Sequence, residues 1–296
     1  MSVLLMTVWL TGCVQEELGS TPSPAGNGIR FTLTVPDVNL PSVSSRTMTG
    51  TGTAKKEDEI KTVDILIFDA SKTPAVYLEW VTATGVTQDL ADNSTVSFSA
   101  VLSPTTASTC IVVVANKELD NIVSGFTKGA TTKVEAMEKM LHTQTGKWLA
   151  DGSTTDGYTR IPMYGEKVIS KITPSMDPIT GINMKRMLAR IDIRNNSATS
   201  NFTVEEVYLA NYNTTGYIAP AWNTNGQVTD PVPDTPVLPA GSGKMTEEGD
   251  AILYSVNGNT PYDGEIYTFE SLAAEDAGGA GADGEASRKD ATCLIV

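Results

Sequence analysis

The run Thr-Cys-Ile-Val-Val-Val-Ala at positions 109–115 constrains the fold more than any other stretch of the chain. Its residues are mostly apolar or β-branched, with no charge among them, and side chains of this kind favour extended backbone. A continuous run of this length is typical of a strand in the middle of a sheet. We therefore expect the protein to be built around a β-sheet with this strand near its centre.

A second clear strand pattern lies close to the N-terminus. Apolar and polar residues alternate strictly over residues 29–35, which places Ile29, Phe31, Leu33 and Val35 on one face of a strand. A proline follows directly and ends the pattern, since proline cannot donate a hydrogen bond within a sheet. This segment is predicted to be a strand with one buried face.

The other strand patterns are short, and helical patterns are scarce. Strands are predicted at residues 61–68, 76–81, 95–102, 166–172, 184–194, 202–210, 251–256 and 265–270. One helix is predicted at residues 133–142, where Thr132 and Glu135 form a capping box, and a shorter helix at residues 118–126. The sequence thus predicts an all-β fold, mainly β with one or two short helices.

The beginning of the chain has the form of a bacterial export signal. Residues 1–12 contain no acidic residue, and Leu-Thr-Gly-Cys at positions 10–13 has the pattern of a lipoprotein cleavage site. The apolar run suits a signal peptide and is shorter than the roughly 20 residues that span a bilayer. Cys13 is therefore the predicted lipidation site. No Lys or Arg precedes the run, so a buried strand or helix stays open as the alternative.

Composition divides the rest of the chain. Residues 13–50 are expected to form a tether, the N-terminal strand and an exposed loop, because they are rich in Pro, Gly, Ser and Thr outside that strand. Residues 51–220 are expected to form an N-terminal β domain, and a Pro-rich stretch marks a boundary near its end. Residues 221–296 then form a C-terminal β domain, which ends inside an apolar run and is expected to be truncated.

Charge and cysteine content exclude several classes of protein. The formal charge of −14 repels nucleic acid, so no nucleic-acid partner is expected. Three cysteines cannot build the disulfide framework of a small secreted domain. Cys110 and Cys293 each lie in an apolar run, which favours two small buried residues, with a disulfide between them as the alternative. The acidic cluster at residues 57–59 is interpreted as solubilising.

The residues that most enzymes and metal sites require are missing. The sequence has one histidine, His142, which is interpreted as a helix C-terminal residue, and it has no zinc motif, nucleophile elbow or phosphate-binding loop. No catalytic residue, metal or cofactor is therefore predicted. A calcium loop formed by Asp276, Asp283 and Glu285 remains an alternative, although no EF-hand pattern is present.

Several strings together resemble the fimbrillin family of Bacteroidia-type surface pili, the FimA/Mfa-like major fimbrial subunits. The strings are Leu-Thr-Gly-Cys at 10–13, Ile-Lys-Thr-Val-Asp-Ile-Leu-Ile-Phe-Asp at 60–69, Val-Val-Val-Ala-Asn-Lys at 112–117, Ile-Pro-Met-Tyr-Gly at 161–165, Met-Lys-Arg-Met-Leu-Ala-Arg-Ile-Asp-Ile at 184–193 and Val-Tyr-Leu-Ala-Asn at 207–211. Their order and spacing are more specific than any one string. The resemblance implies two tandem transthyretin-like β-sandwich domains, the second incomplete here, and export as a lipoprotein.

The resemblance also implies assembly after a surface protease removes the N-terminal strand. Carried to this sequence, the displaced strand is residues 29–35 and the cut follows Arg46, while Arg30 is a weaker candidate because it lies within the strand pattern. A sheet that loses a strand exposes unpaired backbone groups and apolar side chains, which bind another extended segment. Without the resemblance, Arg46 is an ordinary loop arginine.

The sequence therefore predicts a non-enzymatic subunit or adhesin of a cell-surface fimbria at the outer membrane. Its expected partners are other fimbrial subunits, the outer membrane through the lipid anchor before processing, and host or bacterial surface ligands. The main alternative is a monomeric surface glycan-binding lipoprotein that uses Trp80, Trp148 or Trp222 as a platform. A hydrolase with an unrecognised carboxylate pair is a further alternative.

Overall fold

The computed structural model describes residues 28–35, 58–88, 95–144, 146–148, 160–191, 204–229, 236–240, 251–255, 266–271 and 292–295. The strands are β1 (Ile29–Thr34), β2 (Val63–Asp69), β3 (Val76–Thr82), β4 (Thr84–Gln88), β5 (Thr95–Ala100), β6 (Thr109–Ala115), β7 (Leu141–Thr143), β8 (Met163–Ile169), β9 (Ile179–Asn183), β10 (Lys185–Arg186), β11 (Leu188–Ile191), β12 (Glu206–Ala210), β13 (Thr215–Tyr217), β14 (Ile252–Ser255), β15 (Ile266–Phe269) and β16 (Cys293–Ile295). The helices are α1 (Asp120–Val123) and α2 (Lys133–Lys139). The predicted all-β class is confirmed.

Two sheets form the main body of the described chain. The first sheet has the strand order β4-β5-β1-β9, and the second sheet has the order β10-β8-β6-β2-β3. All neighbours in the second sheet are antiparallel, whereas β1 in the first sheet is antiparallel to β5 and parallel to β9. The predicted central strand, β6, lies in the middle of the second sheet.

The two sheets pack face to face around one buried cluster, here called the inner core. From the first sheet and its flanks it includes Ile29, Phe31, Leu33, Val35, Val96, Phe98, Ala100, Ile179 and Ile182. From the second sheet it includes Val63, Ile65, Ile67, Ile111, Val113, Ala115 and Met163. A single row of alternate side chains from each strand fills the space between two sheets, as in other β-sandwiches.

The opposite face of the second sheet is covered as well. A second buried cluster, here called the outer core, lies on this face. It includes Leu66, Phe68, Val112, Val114 and Tyr164 of the second sheet, together with part of α2 and residues 218–219. Every residue of β6 is buried for this reason. Burial on both faces explains why the sequence of β6 shows no alternation.

Two continuous stretches of chain pass from one sheet to the other. On one side, β3 of the second sheet continues through Ala83 into β4 of the first sheet, and the Ala83 amide donates to the Val63 carbonyl at 2.9 Å. On the other side, β9 of the first sheet continues through Met184 into β10 of the second sheet. The sandwich is therefore linked covalently along both of its lateral sides.

The later strands pair among themselves and with one earlier strand. β12 lies between β14 and β16, β11 pairs with β15, and β13 pairs with β7. Val207, Leu209, Tyr212, Ile252, Tyr254 and Ile266 form a third buried cluster. β11 and β12 thus pair with strands near the C-terminus, while the predicted division at residue 220 stays a prediction.

Several local predictions need correction. The helix predicted at residues 133–142 ends at Lys139, and His142 lies in β7 instead. The strand predicted at residues 184–194 is broken at Met187, because β10 and β11 belong to different sheets. Cys110 is buried as predicted, but Cys293 is exposed, so its predicted burial is wrong. Both are free thiols, so the alternative of a disulfide between them is wrong as well.

Other predictions fall on residues outside the described ranges. These are the signal peptide at residues 1–12, Cys13, Arg46, and the acidic loop residues Asp276, Asp283 and Glu285. In the part of the chain that is described, neither helix has the length and apolar content that a membrane crossing requires.

Candidate strand-exchange groove

β1 lies in the interior of the first sheet rather than at its edge. Its register with β5 pairs Ile29 with Ala100, Phe31 with Phe98, and Leu33 with Val96. These pairs place the apolar side of β1 directly opposite apolar residues of β5. The strand is therefore bordered by a neighbour along its whole length on this side.

On the other side, β1 runs parallel to β9 with one irregularity. Phe31 pairs with Ile179 and Leu33 pairs with Ile182, so β9 uses one more residue than β1 between the two pairs. This extra residue forms a β-bulge. Gly181 lies in the bulge with φ of +72°, a conformation that glycine adopts without strain. The bulge brings Ile179 and Ile182 onto the same side of the sheet although they are three positions apart.

The apolar side chains of β1 are almost fully removed from water. Phe31 is 1% exposed and Leu33 is 0% exposed, while Ile29 and the following Val35 are also buried. The rings of Phe31 and Phe98 are stacked, with centroids 4.9 Å apart and planes within 9° of parallel. The predicted strand and its predicted buried face are both confirmed.

Removal of β1 from the first sheet would leave a groove between β5 and β9. Its floor consists of inner-core residues of the second sheet, including Ile65, Ile111 and Val113, each 0% exposed. Its walls are the unpaired backbone of β5 and β9, the feature that attracts an added strand. Such a groove binds an extended segment through main-chain hydrogen bonds and alternate side-chain pockets.

β9 has contacts of its own that do not involve β1. Its residues Ile182 and the adjacent Met184 pack so closely on β8 that a Cβ on Gly165 would come within 2.8 Å of Ile182 and 2.7 Å of Met184. Lys167 of β8 also donates from Nζ to the Thr180 carbonyl. β9 is therefore fixed to the second sheet by side chains as well as by its chain continuity.

The segment that enters β2, residues 58–61, is here called the anchor segment. Asp58 forms an ion pair with Arg186 of β10, and Glu59 forms one with Arg160 at 2.8 Å. The sequence favours a solubilising role for the acidic cluster at residues 57–59, but the carboxylates of Asp58 and Glu59 are partly buried and paired, while Glu57 lies outside the described residues. Partners so far apart in the sequence cannot be recognised from it.

Hydrogen bonds fix the anchor segment further. The Ile60 amide donates to Gln88 Oε1 at 3.0 Å, and Gln88 Nε2 donates back to the Asp58 carbonyl at 2.7 Å. Asn116 donates from Nδ2 to the Glu59 carbonyl at 2.8 Å. A chain cut before this segment would therefore keep β2 and the second sheet firmly attached to their neighbours.

The arginines differ in their surroundings. The described arginines are Arg30 in β1, Arg160 and Arg186 in the ion pairs above, and Arg190 in β11. Arg46, Arg194 and Arg288 lie outside the described residues. Arginine in a paired strand or an ion pair is a poor protease substrate, because cleavage concentrates at exposed loop tips and chain termini.

His142 lies in an aromatic cluster. Its ring centroid is 5.0 Å from that of Trp148 and 6.4 Å from that of Phe269, and neither ring nitrogen has a hydrogen-bond partner among the described residues. Burial, with a smaller effect from the positive charge of Lys117, lowers the pKa of His142 to about 4. A histidine in this setting is neutral near pH 7 and contributes to packing.

The tryptophans named as glycan platforms pack against the outer core. Trp148 is a buried member of that cluster, and Trp80 and Trp222 are partly buried against it. Trp222 additionally meets Tyr217 edge to face, with centroids 4.9 Å apart. Their indole faces therefore serve packing, which weakens the alternative of a glycan-binding platform.

A buried polar cluster lies in the outer core without a substrate-accessible nucleophile. Lys133 of α2 forms an ion pair with Glu166 at 2.5 Å, and the Tyr164 hydroxyl donates to the same carboxylate oxygen at 2.5 Å. Burial raises the pKa of the neighbouring Cys110 thiol to about 11. The thiol is thus inert at neutral pH, and the cluster attaches α2 to β8.

Comparison with known proteins identifies the family. The family model of the major fimbrial subunit protein (FimA) matches residues 29–183, just over half of the 296-residue chain. The chain therefore belongs to this family, whose members are structural subunits of cell-surface fimbriae rather than enzymes. The match begins at the first residue of β1 and ends at the last residue of β9.

Three solved structures with some similarity come from two bacterial species. A proposed cell adhesion protein from Parabacteroides distasonis is 15% identical, with a TM-score of 0.48, over 85% of this chain and 73% of that chain. A fimbrial assembly protein from the same species is 11% identical, with a TM-score of 0.40, over 84% and 78%. A proposed adhesin from Bacteroides ovatus is 13% identical, with a TM-score of 0.35, over 83% and 68%. No curated protein matches the chain.

Sequence reasoning found one wall of the groove and missed the other. β5 lies within the strand predicted at residues 95–102, but the sequence predicts no strand at β9. Its apolar residues, Ile179 and Ile182, are out of phase with the alternation of a regular strand because of the bulge at Gly181. A glycine between two such isoleucines is the one signal that indicates a bulged strand.

Proposed function

We propose that this fimbrial subunit assembles by strand exchange, in which β1 is cut away and an extended segment of another subunit takes its place. The observation that carries the proposal is the position of β1, an interior strand whose neighbours remain attached to the second sheet without it. β4 is continuous with β3, and β9 is continuous with β10. Removing β1 therefore opens a groove without detaching either half of the first sheet.

The energy of refilling the groove is large enough to give a stable joint. Four apolar side chains lie along β1 and its flank, and each contributes about 1.5–3 kcal/mol when it is buried. Their sum is on the order of 10 kcal/mol before the costs of ordering the incoming segment. Backbone hydrogen bonds to β5 and β9 fix the direction and the register of the incoming segment. A joint of this kind dissociates slowly.

The proposed route to the open groove begins with export. Cys13 carries the lipid that anchors the precursor to the outer membrane, and a surface protease then cuts after Arg46. The anchor segment at residues 58–61 supports this site, because its ion pairs and hydrogen bonds stabilise the new N-terminal end of the body. Substitution Cys13→Ser is expected to abolish incorporation of labelled palmitate in cells, with Cys110→Ser as the control that leaves it unchanged.

An arginine-specific protease tests the strand-exchange proposal on the full chain. Arg194→Lys and Arg288→Lys are included to remove competing sites while keeping the charge. Cleavage is expected to give one cut, after Arg46, and a fragment that stays bound until a peptide of residues 28–36 displaces it. The matched control Arg46→Lys remains whole under the same treatment. A cleaved protein that unfolds, or one that never accepts the peptide, contradicts the proposal.

A further inference from the structure

One position along β1 differs chemically from the others. Phe31 is paired directly with Phe98 of β5, and the two rings are stacked at 4.9 Å between centroids. Leu33, by contrast, faces Val96 on β5 and Ile182 on β9, and Ile29 faces Ala100. Stacked aromatic pairs gain about 0.5–1.5 kcal/mol beyond the burial of their area.

The slot beside Phe98 is also closed to water and surrounded by apolar side chains. Phe31 and Phe98 are 1% and 3% exposed, and both belong to the inner core. A tyrosine here would bury its hydroxyl among aliphatic groups, which costs free energy unless a partner is present. A tryptophan would exceed the volume of the slot, and a close-packed core resists additional volume.

We propose that the groove between β5 and β9 selects its incoming segment by a phenylalanine opposite Phe98. The preferred occupant is an extended segment of a second subunit with four alternating apolar residues, the second of which is phenylalanine. This inference rests on the proposed strand exchange and adds the side-chain chemistry that a partner must present. The neighbouring aliphatic pockets tolerate Leu, Ile and Val, whereas the Phe98 slot discriminates.

Competition between peptides tests the selectivity on the full chain after cleavage at Arg46. A labelled peptide of residues 28–36 is bound to the cleaved protein under mild denaturant, after the protease has been inactivated. Unlabelled peptides then compete, and the concentrations needed for half displacement are compared. The peptide with Phe31→Leu is expected to compete about ten-fold more weakly than the parent, and Phe31→Tyr is also weaker. The control peptide with Thr34→Ser changes an exposed position and competes within about two-fold.

A change on the protein side should remove the preference. In the Phe98→Leu chain, the parent and Phe31→Leu peptides are expected to compete equally, because the stacking partner is gone. Thermal unfolding of the uncleaved Phe98→Leu chain checks that this variant folds. If it is unstable, the competition between peptides on the cleaved chain that retains Phe98 decides whether the groove is selective.

The outcomes separate this inference from the proposed function. Equal competition by the parent and Phe31→Leu peptides on the unaltered groove overturns the selectivity while leaving strand exchange intact. Cleaved protein that takes up no peptide of any sequence overturns strand exchange, and the selectivity with it.

Discussion

The two sheets of the sandwich bury their strands in different ways. In the second sheet, β2 and β6 are buried on both faces, because the inner core lies on one side and the outer core on the other. In the first sheet, β1 is buried on one face only, and its outward residues are partly or fully exposed. A strand between two cores cannot leave without disrupting both. A strand over one core can leave at the cost of one row of side chains and its backbone pairing.

The largest expected effect on stability comes from a charge placed inside the second sheet. Val112 lies in the middle of β6, is 0% exposed and is paired directly with Glu166 of β8, so Val112→Asp places a second carboxylate in the outer core beside the first. We expect a loss of more than about 4 kcal/mol, enough to prevent stable folding. Thermal unfolding followed by circular dichroism measures it.

The matched change in the first sheet is Thr34→Asp, at the exposed end of β1. Its expected effect is within about 0.5 kcal/mol, as for other exposed positions. A Val112→Asp chain that unfolds at the same temperature as the Thr34→Asp chain would contradict the comparison.

The second effect concerns the apolar row of β1. Phe31→Ala in the uncleaved chain removes a ring that is buried and stacked, so we expect a loss of about 3–5 kcal/mol in the free energy of unfolding. After cleavage at Arg46, the same substitution should instead speed release of the N-terminal fragment. Urea unfolding gives the first quantity, and size-exclusion chromatography of the cleaved protein gives the second. A Phe31→Ala fragment that is released no faster than the parent would indicate that β1 is retained by other contacts.

The sequence anticipates the second sheet better than the first. The unbroken apolar run of β6 identifies a strand with two covered faces, and the capping box of Thr132 and Glu135 marks the start of α2 where the structure has it. The location of β9 depends on a bulge at Gly181, which removes the alternation that identifies strands. Long-range pairs such as Arg186 with Asp58 leave no local signal.

The candidate groove, like the fold, is only partly predictable from the sequence. Alternation over residues 29–35 predicts a one-sided strand, and the structure confirms its buried face. The interior position of β1 follows from the register with β5 and β9, which a single sequence does not encode in any short pattern. The proposed exchange of β1 starts from the resemblance to a family, because the alternation of residues 29–35 alone predicts no more than a one-sided strand.

The third effect is a pH dependence from His142, whose ring lies beside Trp148 and Phe269 of the outer core. Burial lowers the pKa of His142 to about 4, below its ordinary value of 6.5, so the unfolded chain binds this proton more readily than the folded chain. The stabilisation is present above pH 6.5 and is lost as the pH falls toward 4. Because the ring is only half-buried, we expect a loss of about 1–2 kcal/mol.

Substitution His142→Phe separates this proton from the carboxylates of the chain. The variant keeps a ring beside Trp148 and Phe269 but cannot titrate. Its unfolding free energy should fall less steeply between pH 6.5 and pH 4 than that of the parent, measured by urea titration at each pH. Identical slopes would rule out His142 as the source.

The smallest expected effect concerns the helix that covers the second sheet. The Thr132 hydroxyl accepts from the Glu135 amide at 3.2 Å, and the Glu135 carboxylate accepts from the Thr132 amide at 2.7 Å. Thr132→Ala removes this cap and should lower the free energy of unfolding by about 1 kcal/mol. Thr106→Ala, at an exposed loop position, is the control and should have little effect. Equal stability of the two variants would show that the cap contributes nothing to the layer over the second sheet.

Hydrogen exchange measured by mass spectrometry tests the central claim most directly, that β1 is a replaceable part of a stable sandwich. The chain is cleaved at Arg46, its N-terminal fragment is removed, and exchange is compared with that of the uncleaved chain. We expect the amides of β5 and β9 that pair with β1 to exchange at least about 100-fold faster, and the amides of β2 and β6 to stay protected. Protection of β9 should return when a peptide of residues 28–36 is added. Loss of protection in β2 and β6 together with β9 would contradict the account, because β1 would then be essential to both sheets.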